Sequence, residues 1–502
     1  MDQIIAFPAS VSTPKDHLDA AIEESVAVFR RLLVELADTW VATPGSLLGV
    51  EQALEARVGP ECLTPFVGGL IREALENDSV AVRANALLNQ LPDWRCQKSS
   101  QQVTLHTLCG GAVTVQVAYF LNRSTPAGPR RRKGQRGKAG RGLYPVLEAL
   151  GIHGRMTPGL AAEAARVAVT GASFDAVREE LRRRGLTLDK KTIRRAVHLV
   201  SKRALAHRED LEQEPTPKDV VSPLAGKRLA ILVDGGRLRV RLRKRGRRRK
   251  SGGKSFRADW WEPKVFVIYE LDERGRRKPN GFVRYDATLG DADATFRLLA
   301  SQLRSLGADQ AVLWVVGGDG AKWIWARVGE LIKEVGFDPA KVIELLDFWH
   351  AVGYLSEFAE ANTGWTEAER RTWVQQQKIR LRAGRLELAL EAMREHCYGR
   401  NVAAKRTVLK RFETNRHRMR YDHYRHHGLP CGSGAVESAV RRVVNLRLKN
   451  AGTFWDPEMA EGVLHLRSQF LSGIWDAYMR RVLEPEEFWR RHPAREARRA
   501  AA

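Results

Sequence analysis

Four carboxylates and one histidine stand where chemistry could be done in this chain. Asp234 closes the apolar run "LAILV", and Asp319 closes "QAVLWVVGG". Asp347 closes "KVIELL", with His350 three residues later, and Glu437 follows Gly432-Ser433-Gly434 in a helical segment. Acidic residues at the ends of buried strands offer hard oxygen donors, which suit Mg²⁺, with Mn²⁺ as a substitute. Two such ions can activate an attacking oxygen and stabilise a leaving one in phosphoryl transfer. A row of arginines begins beside the first aspartate. Arg237, Arg239, Arg241 and Arg243 alternate with Leu238, Val240 and Leu242, so at strand spacing all four share one face. A solvated face usually mixes charge signs; this one is all arginine and suits a phosphate backbone.

Gly317-Gly318-Asp319-Gly320 lacks the Gly-x-x-x-x-Gly-Lys spacing of a phosphate-cradling loop, since Trp323 follows Lys322. Its glycines fit a sharp turn that leaves Asp319 uncrowded, with Trp323 and Trp325 anchoring the next helix. Glu437 taken alone would be a first-turn glutamate favoured by the helix dipole, with Arg441 as its i+4 partner. Asp347 competes with Asp319 for the second metal position, and strand order favours Asp319. His417, His423, His426 and His427 have no cysteine at finger spacing. They read as a basic DNA-facing segment or as ordinary loop histidines.

The elements that must position these groups follow from periodicity. "LAILV" reads as a strand, and "WEPKVFVIYELDERGRRKPNGFVRYDATLG" as two further strands joined by a turn at Pro279-Asn280-Gly281. "DADATFRLLASQLRSLG" reads as a helix with Asp291 near its cap, followed by the strand to Asp319, a helix, the strand to Asp347 and another helix. Three strands, helix, strand, helix, strand, helix is the order of an RNase H-like fold. There the first and fourth strands lie side by side, so Asp234 would face Asp319. Upstream, residues 14 to 90 read as helices, and Val103, Leu105, Val113, Val115, Val117 and Tyr119 alternate around Gly110-Gly111 as a β-hairpin. Residues 157 to 207 read as three helices: Thr157 as cap with Pro158 after it, Ser173 as cap with a close at Gly185, and a basic third helix from near Asp189. That pattern suits a helix-turn-helix, with Lys190, Lys191, Arg194 and Arg195 at the end that enters a major groove. The plain alternative is a three-helix packing unit.

Lys and Arg number 84 against 59 Asp and Glu, a net charge of +25, which points to a polyanionic partner, DNA first. "PRRRKGQRGKAGR", residues 129 to 141, reads as a flexible basic linker. Five scattered cysteines without a CxxC fit a reducing compartment and show no structural zinc site of the usual spacing. No secretory pattern opens the chain and no run of about 18 apolar residues occurs, so a cytoplasmic, nucleoid-associated protein with no membrane partner is expected.

The stretches "LVDGGR", "GDGAKWIW", "LLDFWHA", "GLPCGSGAVESAVRRVVNLRLKNAGTFW" and "LHLRSQFLSGIWDAYM" together resemble the DDE transposases of insertion sequences, most closely the ISKra-type family, related in plan to Mutator-like enzymes. The resemblance spans about residues 228 to 480. It implies Asp234, Asp319 and Glu437 as the catalytic and metal-holding triad, and Asp347 to His350 as a D-x-x-H motif with His350 in support. Residues 362 to 428 look like the helical insertion such enzymes place before the final glutamate. The expected α/β architecture is then an N-terminal helical region with a β-hairpin (1–128), a basic linker and helix-turn-helix region (129–227), an RNase H-like catalytic domain in two parts (228–361 and 429–482) around the helical insertion (362–428), and a basic tail (483–502). Arg194, Arg195, Arg237, Arg239, Arg241, Arg243 and Arg441 are the expected DNA contacts. The implied partners are element terminal inverted repeats, target DNA and a second copy of the chain. A non-catalytic or domesticated DNA-binding protein, or an RNase H-like nuclease without strand transfer, are the alternatives.

Overall fold

A computed structural model describes residues 16–42, 47–122, 142–213, 222–248 and 254–483. The basic segment 129–141 and nearly all of the expected basic tail lie outside the described residues. The chain is mixed α/β and divides into two compact units, residues 1–207 with 475–502, and residues 208–474.

The first unit holds α1 (Asp16–Ala42), α2 (Leu48–Arg57), α3 (Thr64–Glu76) and α4 (Asp78–Asn89). Next come β1 (Trp94–His106) and β2 (Ala112–Asn122), an antiparallel pair with β3 (Gly142–Leu143) beside β2. The register sets Val103 against Val115 and Leu105 against Val113, and all four are buried, so the alternation read from the sequence is the buried face of this hairpin. Cys96 and Cys109 sit at opposite ends of it. After α5 (Pro145–Ala149) come α6 (Pro158–Thr170), α7 (Phe174–Arg183) and α8 (Lys190–Gln213). These are the three expected helices. Ser173 caps α7 by accepting from the Ala176 amide, and Asp189 accepts from the amides of Lys191 and Thr192. Thr157 occupies the cap position of α6, but its side chain makes no capping bond. The division between the units falls inside α8 rather than at residue 228, because that helix runs unbroken to Gln213.

The second unit is built on β4 (Arg228–Gly235), β5 (Leu238–Arg248), β6 (Lys254–Trp261), β7 (Lys264–Glu270), β8 (Val283–Thr288), α9 (Ala292–Ser305), β9 (Leu313–Gly318), α10 (Lys322–Val335), β10 (Val342–Leu346) and α11 (Phe348–Ala361). Five of the strands form one sheet in the order β10-β9-β4-β7-β8. β4, β9 and β10 run parallel, and β7 and β8 are antiparallel additions. Leu229, Ile231, Val233, Phe266, Ile268, Trp314 and Val316 are buried, packed with Leu299 and Leu303 of α9 and Ile324, Val328 and Leu331 of α10. The arginine-bearing strand β5 leaves this sheet, pairs with β6 and makes a short parallel bridge from Val240 to Trp455.

From α11 the chain runs through α12 (Glu367–Arg382), α13 (Leu386–Glu395), α14 (Val402–Thr414) and α15 (Tyr421–His426). It returns in α16 (Gly434–Val440), which widens into a π turn (Arg441–Asn445) and ends in α17 (Leu446–Leu448). α18 (Pro457–Leu471) packs on β8. There Glu461 accepts from Arg208, Thr288 and the Leu289 amide, and His465 meets Asp286 at 2.9 Å in a fully buried pair. The last helix, α19 (Trp475–Leu483), belongs to the first unit, so the second unit ends at Ile474 rather than at residue 482. No described helix is long and apolar enough to cross a membrane.

Candidate active site

Parallel register lines up the strand-end carboxylates. Leu232 of β4 is opposite Gly317 of β9, which is opposite Leu345 of β10. Two residues onward in each chain segment stand Asp234, still in β4, and Asp319 and Asp347, which directly follow the ends of β9 and β10. Neighbouring strands are about 4.8 Å apart, so three carboxylates stand at three adjacent strand ends.

The glycines around Asp319 make that row possible. A Cβ on Gly317 would lie 2.7 Å from the Leu232 side chain, and one on Gly318 would lie 2.8 Å from Ile324. Gly320 has φ +87, the left-handed region that favours glycine, and a Cβ there would come within 2.8 Å of Leu346. The turn lets Asp319 Oδ1 accept from the Ala321 amide at 2.9 Å, while the Tyr354 hydroxyl donates to the Asp319 carbonyl. Trp323 packs edge-on against Phe296, and Trp325 lies under the Arg418 guanidinium at 4.2 Å, so both tryptophans hold α10 in place.

Glu437 reaches the row from α16. Val436, Val440, Val443 and Val444 are buried along one side of that helix, and Gly236 lets it approach, since a Cβ there would touch Val440 and Val444 at 3.3–3.4 Å. Glu437 itself is exposed. Among the described residues it has no ion pair with Arg441. The Arg441 amide still donates to the Glu437 carbonyl one turn back, and a π turn begins at that residue.

Asp347 is the most tightly held of the set. It is 1% exposed and caps α11: Oδ1 accepts from the His350 amide at 2.7 Å and meets His350 Nδ1 at 3.0 Å, and Oδ2 accepts from the Ser433 amide. Asp347 N donates to the Gly318 carbonyl, and Phe348 N donates to the Cys431 carbonyl, so the loop before α16 is stitched to the end of β10. Tyr421 and Tyr424 add hydroxyl bonds to the carbonyls of Leu346 and Glu344.

The electrostatics follow from this crowding. Burial pushes the Asp234 carboxyl up to about 6; the Gly235 amide opposes this, while the charges of Asp319 and Glu437 add to it. Burial also acts upward on Asp347, but the bonds from His350 and Ser433 prevail and hold it below the ordinary value. His350 is raised, first by its bond to Asp347 and then by the charges of Asp347, Asp319 and Asp234. Asp234, Asp319, Asp347, His350 and Glu437 thus share one neighbourhood. Among the described residues, the three whose ligand atoms all lie within 4.8 Å of one another are Asp347, His350 and Glu437. Sequence reading had cast Asp347 and His350 in support, and the closeness of His350 to Glu437 could not be seen in their 87-residue separation.

The expected DNA-contacting arginines fall into three places. Arg237 lies just before β5, and Arg239 and Arg241 lie on it; Arg243 is in the same strand, with its side chain outside the described residues. Arg441 is exposed in the π turn after α16. In the first unit, Lys190 pairs with Asp175 at 2.7 Å and Arg194 lies 5.2 Å from the Phe174 ring, which leaves Lys191 and Arg195 exposed at the start of α8. Of the histidines, His417 lies 3.4 Å from Glu344, while His423, His426 and His427 line a surface pocket with Arg416 and Arg420.

The chain matches no protein-family model, and comparison with curated proteins gives no match.

Proposed function

We propose that this chain is a metal-dependent polynucleotidyl transferase of the DDE transposase type, which cuts DNA at the ends of an insertion sequence and joins those ends to target DNA. The observation that carries the reading is the row Asp234, Asp319 and Asp347 across three parallel strand ends, completed by Glu437 from a distant helix. The sheet order β10-β9-β4-β7-β8, with β4 between β7 and β9, is compatible with the order expected of an RNase H-like fold and supports the reading. The net charge of +25 and the arginines that start three residues after Asp234 fit a nucleic-acid substrate.

The donor set suits Mg²⁺ or Mn²⁺: hard carboxylate oxygens, a half-buried Asp234 with its carboxyl pushed up to about 6 beside two more carboxylates, and an exposed Glu437. Asp234, Asp319 and Glu437 would hold the ions, with Asp347 the competitor for the second position. When bound, a divalent ion supplies Lewis acidity to the transferring phosphoryl oxygens. The protein's own share is placement. Asp347 fixes the α16 start and His350, His350 holds a proton beside the carboxylates, and Arg237, Arg239 and Arg241 hold backbone phosphates. In the first reaction, water oxygen bonds to phosphorus as the 3′ oxygen leaves and takes up a proton, which frees a 3′-OH. In the second, that 3′-OH bonds to a target phosphorus and displaces the target's own 3′ oxygen. Bringing two element ends together calls for at least a second copy of the chain.

The test is incubation of the purified protein with its element ends, Mg²⁺ and a target plasmid. Joined products are expected. Nicks without joining would replace this reading with a nuclease, and shifted but intact DNA would replace it with a DNA-binding protein.

A further inference from the structure

The hairpin of β5 and β6 displays aromatic rings together with the arginine row. Its register sets Arg239 opposite Trp260 and Arg241 opposite Ala258, so these pairs share one face, and Phe256, two residues before Ala258 in the strand, lies on it too. The other face is spent on packing, with Leu238 and Val240 fully buried. On the open face Trp260 is 48% exposed and Phe256 is 43% exposed. The guanidinium of Arg237 lies 5.3 Å from the Trp260 ring centre, and that of Arg239 lies 5.5 Å from Trp260 and 4.8 Å from Phe454. Phe454 in turn meets Phe256 at 5.3 Å. The platform is held at its root: Arg241 N donates to the Trp455 carbonyl at 2.8 Å and Trp455 N donates to the Arg239 carbonyl at 3.0 Å.

We propose that this face binds an unpaired segment of DNA next to the cleaved phosphate, with bases stacked on Trp260 and Phe256 and phosphates on Arg237, Arg239 and Arg241. A duplex keeps its bases stacked inside and shows a protein mainly phosphates, for which arginines alone suffice. Exposed rings interleaved with guanidinium groups are what single strands use, because every base has a face to stack and arginine stacks as well. Only Gly235 and Gly236 separate Asp234 from Arg237, so a strand on this platform leads into the carboxylate row. The location rests on the proposed strand-cleaving function; the binding does not.

The test uses the full chain in EDTA, so that no cleavage enters. Fluorescent oligothymidylate of about 20 nucleotides, a duplex of equal length and vesicles rich in phosphatidylserine are titrated against wild type, Trp260→Leu and Trp260→Phe. Expected is an approximately tenfold loss of single-strand affinity in Trp260→Leu, near-wild-type affinity in Trp260→Phe, and duplex affinity changed by less than about twofold in both. Leucine keeps apolar surface and loses the π face, and the position is exposed, so the pair separates stacking from folding. Unchanged single-strand affinity in Trp260→Leu overturns the proposal, as does an equal loss on duplex. A loss confined to vesicles overturns it in favour of a membrane surface. A chain that shows the expected pattern yet neither cuts nor joins DNA keeps this platform and loses the transposase reading; joining with unchanged single-strand binding does the reverse.

Discussion

The carboxylate of Asp347 accepts a hydrogen bond from the backbone amide of Ser433, 86 residues further along the chain. Its other oxygen takes the His350 amide, so one buried side chain sets the start of α11 and the approach to α16 together. Asp347→Asn puts an amide donor against one of two backbone donors. It is expected to cost about 2–3 kcal/mol, a lost charged cap plus an unmet amide. Asp319→Asn gives up at most the Ala321 bond and is expected to cost about 1 kcal/mol or less. Urea unfolding of both proteins measures the difference, and equal losses would remove the anchoring role of Asp347.

Asp234 works against stability. Its carboxyl is raised to about 6, so the folded protein binds a proton there more readily than the unfolded chain does. The resulting stability is present below the unfolded value and is lost as pH rises through about 6. Asp234→Asn removes that loss. In metal-free buffer at pH 7.5 the variant is expected to be more stable than wild type by about 1–3 kcal/mol, while strand cleavage disappears. A variant less stable than wild type in that buffer would contradict the burial of this charge.

Gly320→Ala tests the turn. The residue sits at φ +87, and the new methyl would meet Leu346 at 2.8 Å. Strain and overlap together are expected to destabilise the fold by about 1–3 kcal/mol. Loss of strand cleavage should exceed what unfolding explains, because Asp319 precedes the turn. Differential scanning calorimetry paired with cleavage rates reads both.

Glu270 tests acid stability at the far end of β7. Burial raises its carboxyl, but Lys278 at 2.7 Å, Lys227 at 3.0 Å and the Phe282 amide outweigh it and hold the group below the ordinary value. A lowered value means stability present above the unfolded glutamate value of about 4.3 and lost as pH falls through the folded one. Glu270→Gln should therefore flatten the melting-temperature profile below about pH 5. Both lysines are partly exposed, which limits the effect to about 1 kcal/mol. An unchanged acid limb would show that the lysine bonds add nothing.

β4, β7 and β9 are legible in the sequence as apolar runs, while Arg284 and Asp286 interrupt β8 and Glu344 interrupts β10; Asp234, Asp319 and Asp347 are legible because each closes a mainly apolar strand. Glu437 is legible only as a companion to those three. β6 escapes notice, since "KSFRADWW" follows a basic, glycine-bearing stretch and precedes a strand that draws the eye. The contact of Asp347 with Ser433 and the π turn at Arg441 escape for a physical reason: both depend on how α16 docks, and docking is set by pieces of chain far apart in sequence. The alternation of Arg239 and Arg241 with the buried Leu238 and Val240 is legible, but the departure of β5 from the main sheet is a matter of pairing, which no local pattern encodes.

The late arrival of Ser433 has a consequence for biosynthesis. A nascent chain that has emerged only as far as α15 already contains all five strands of the sheet, yet Asp347 then lacks the amide that meets one of its buried oxygens. The same loop that supplies the amide leads four residues later to Glu437. Quieting the buried charge and delivering the last carboxylate therefore depend on one segment of chain, and a product that ends before it carries neither.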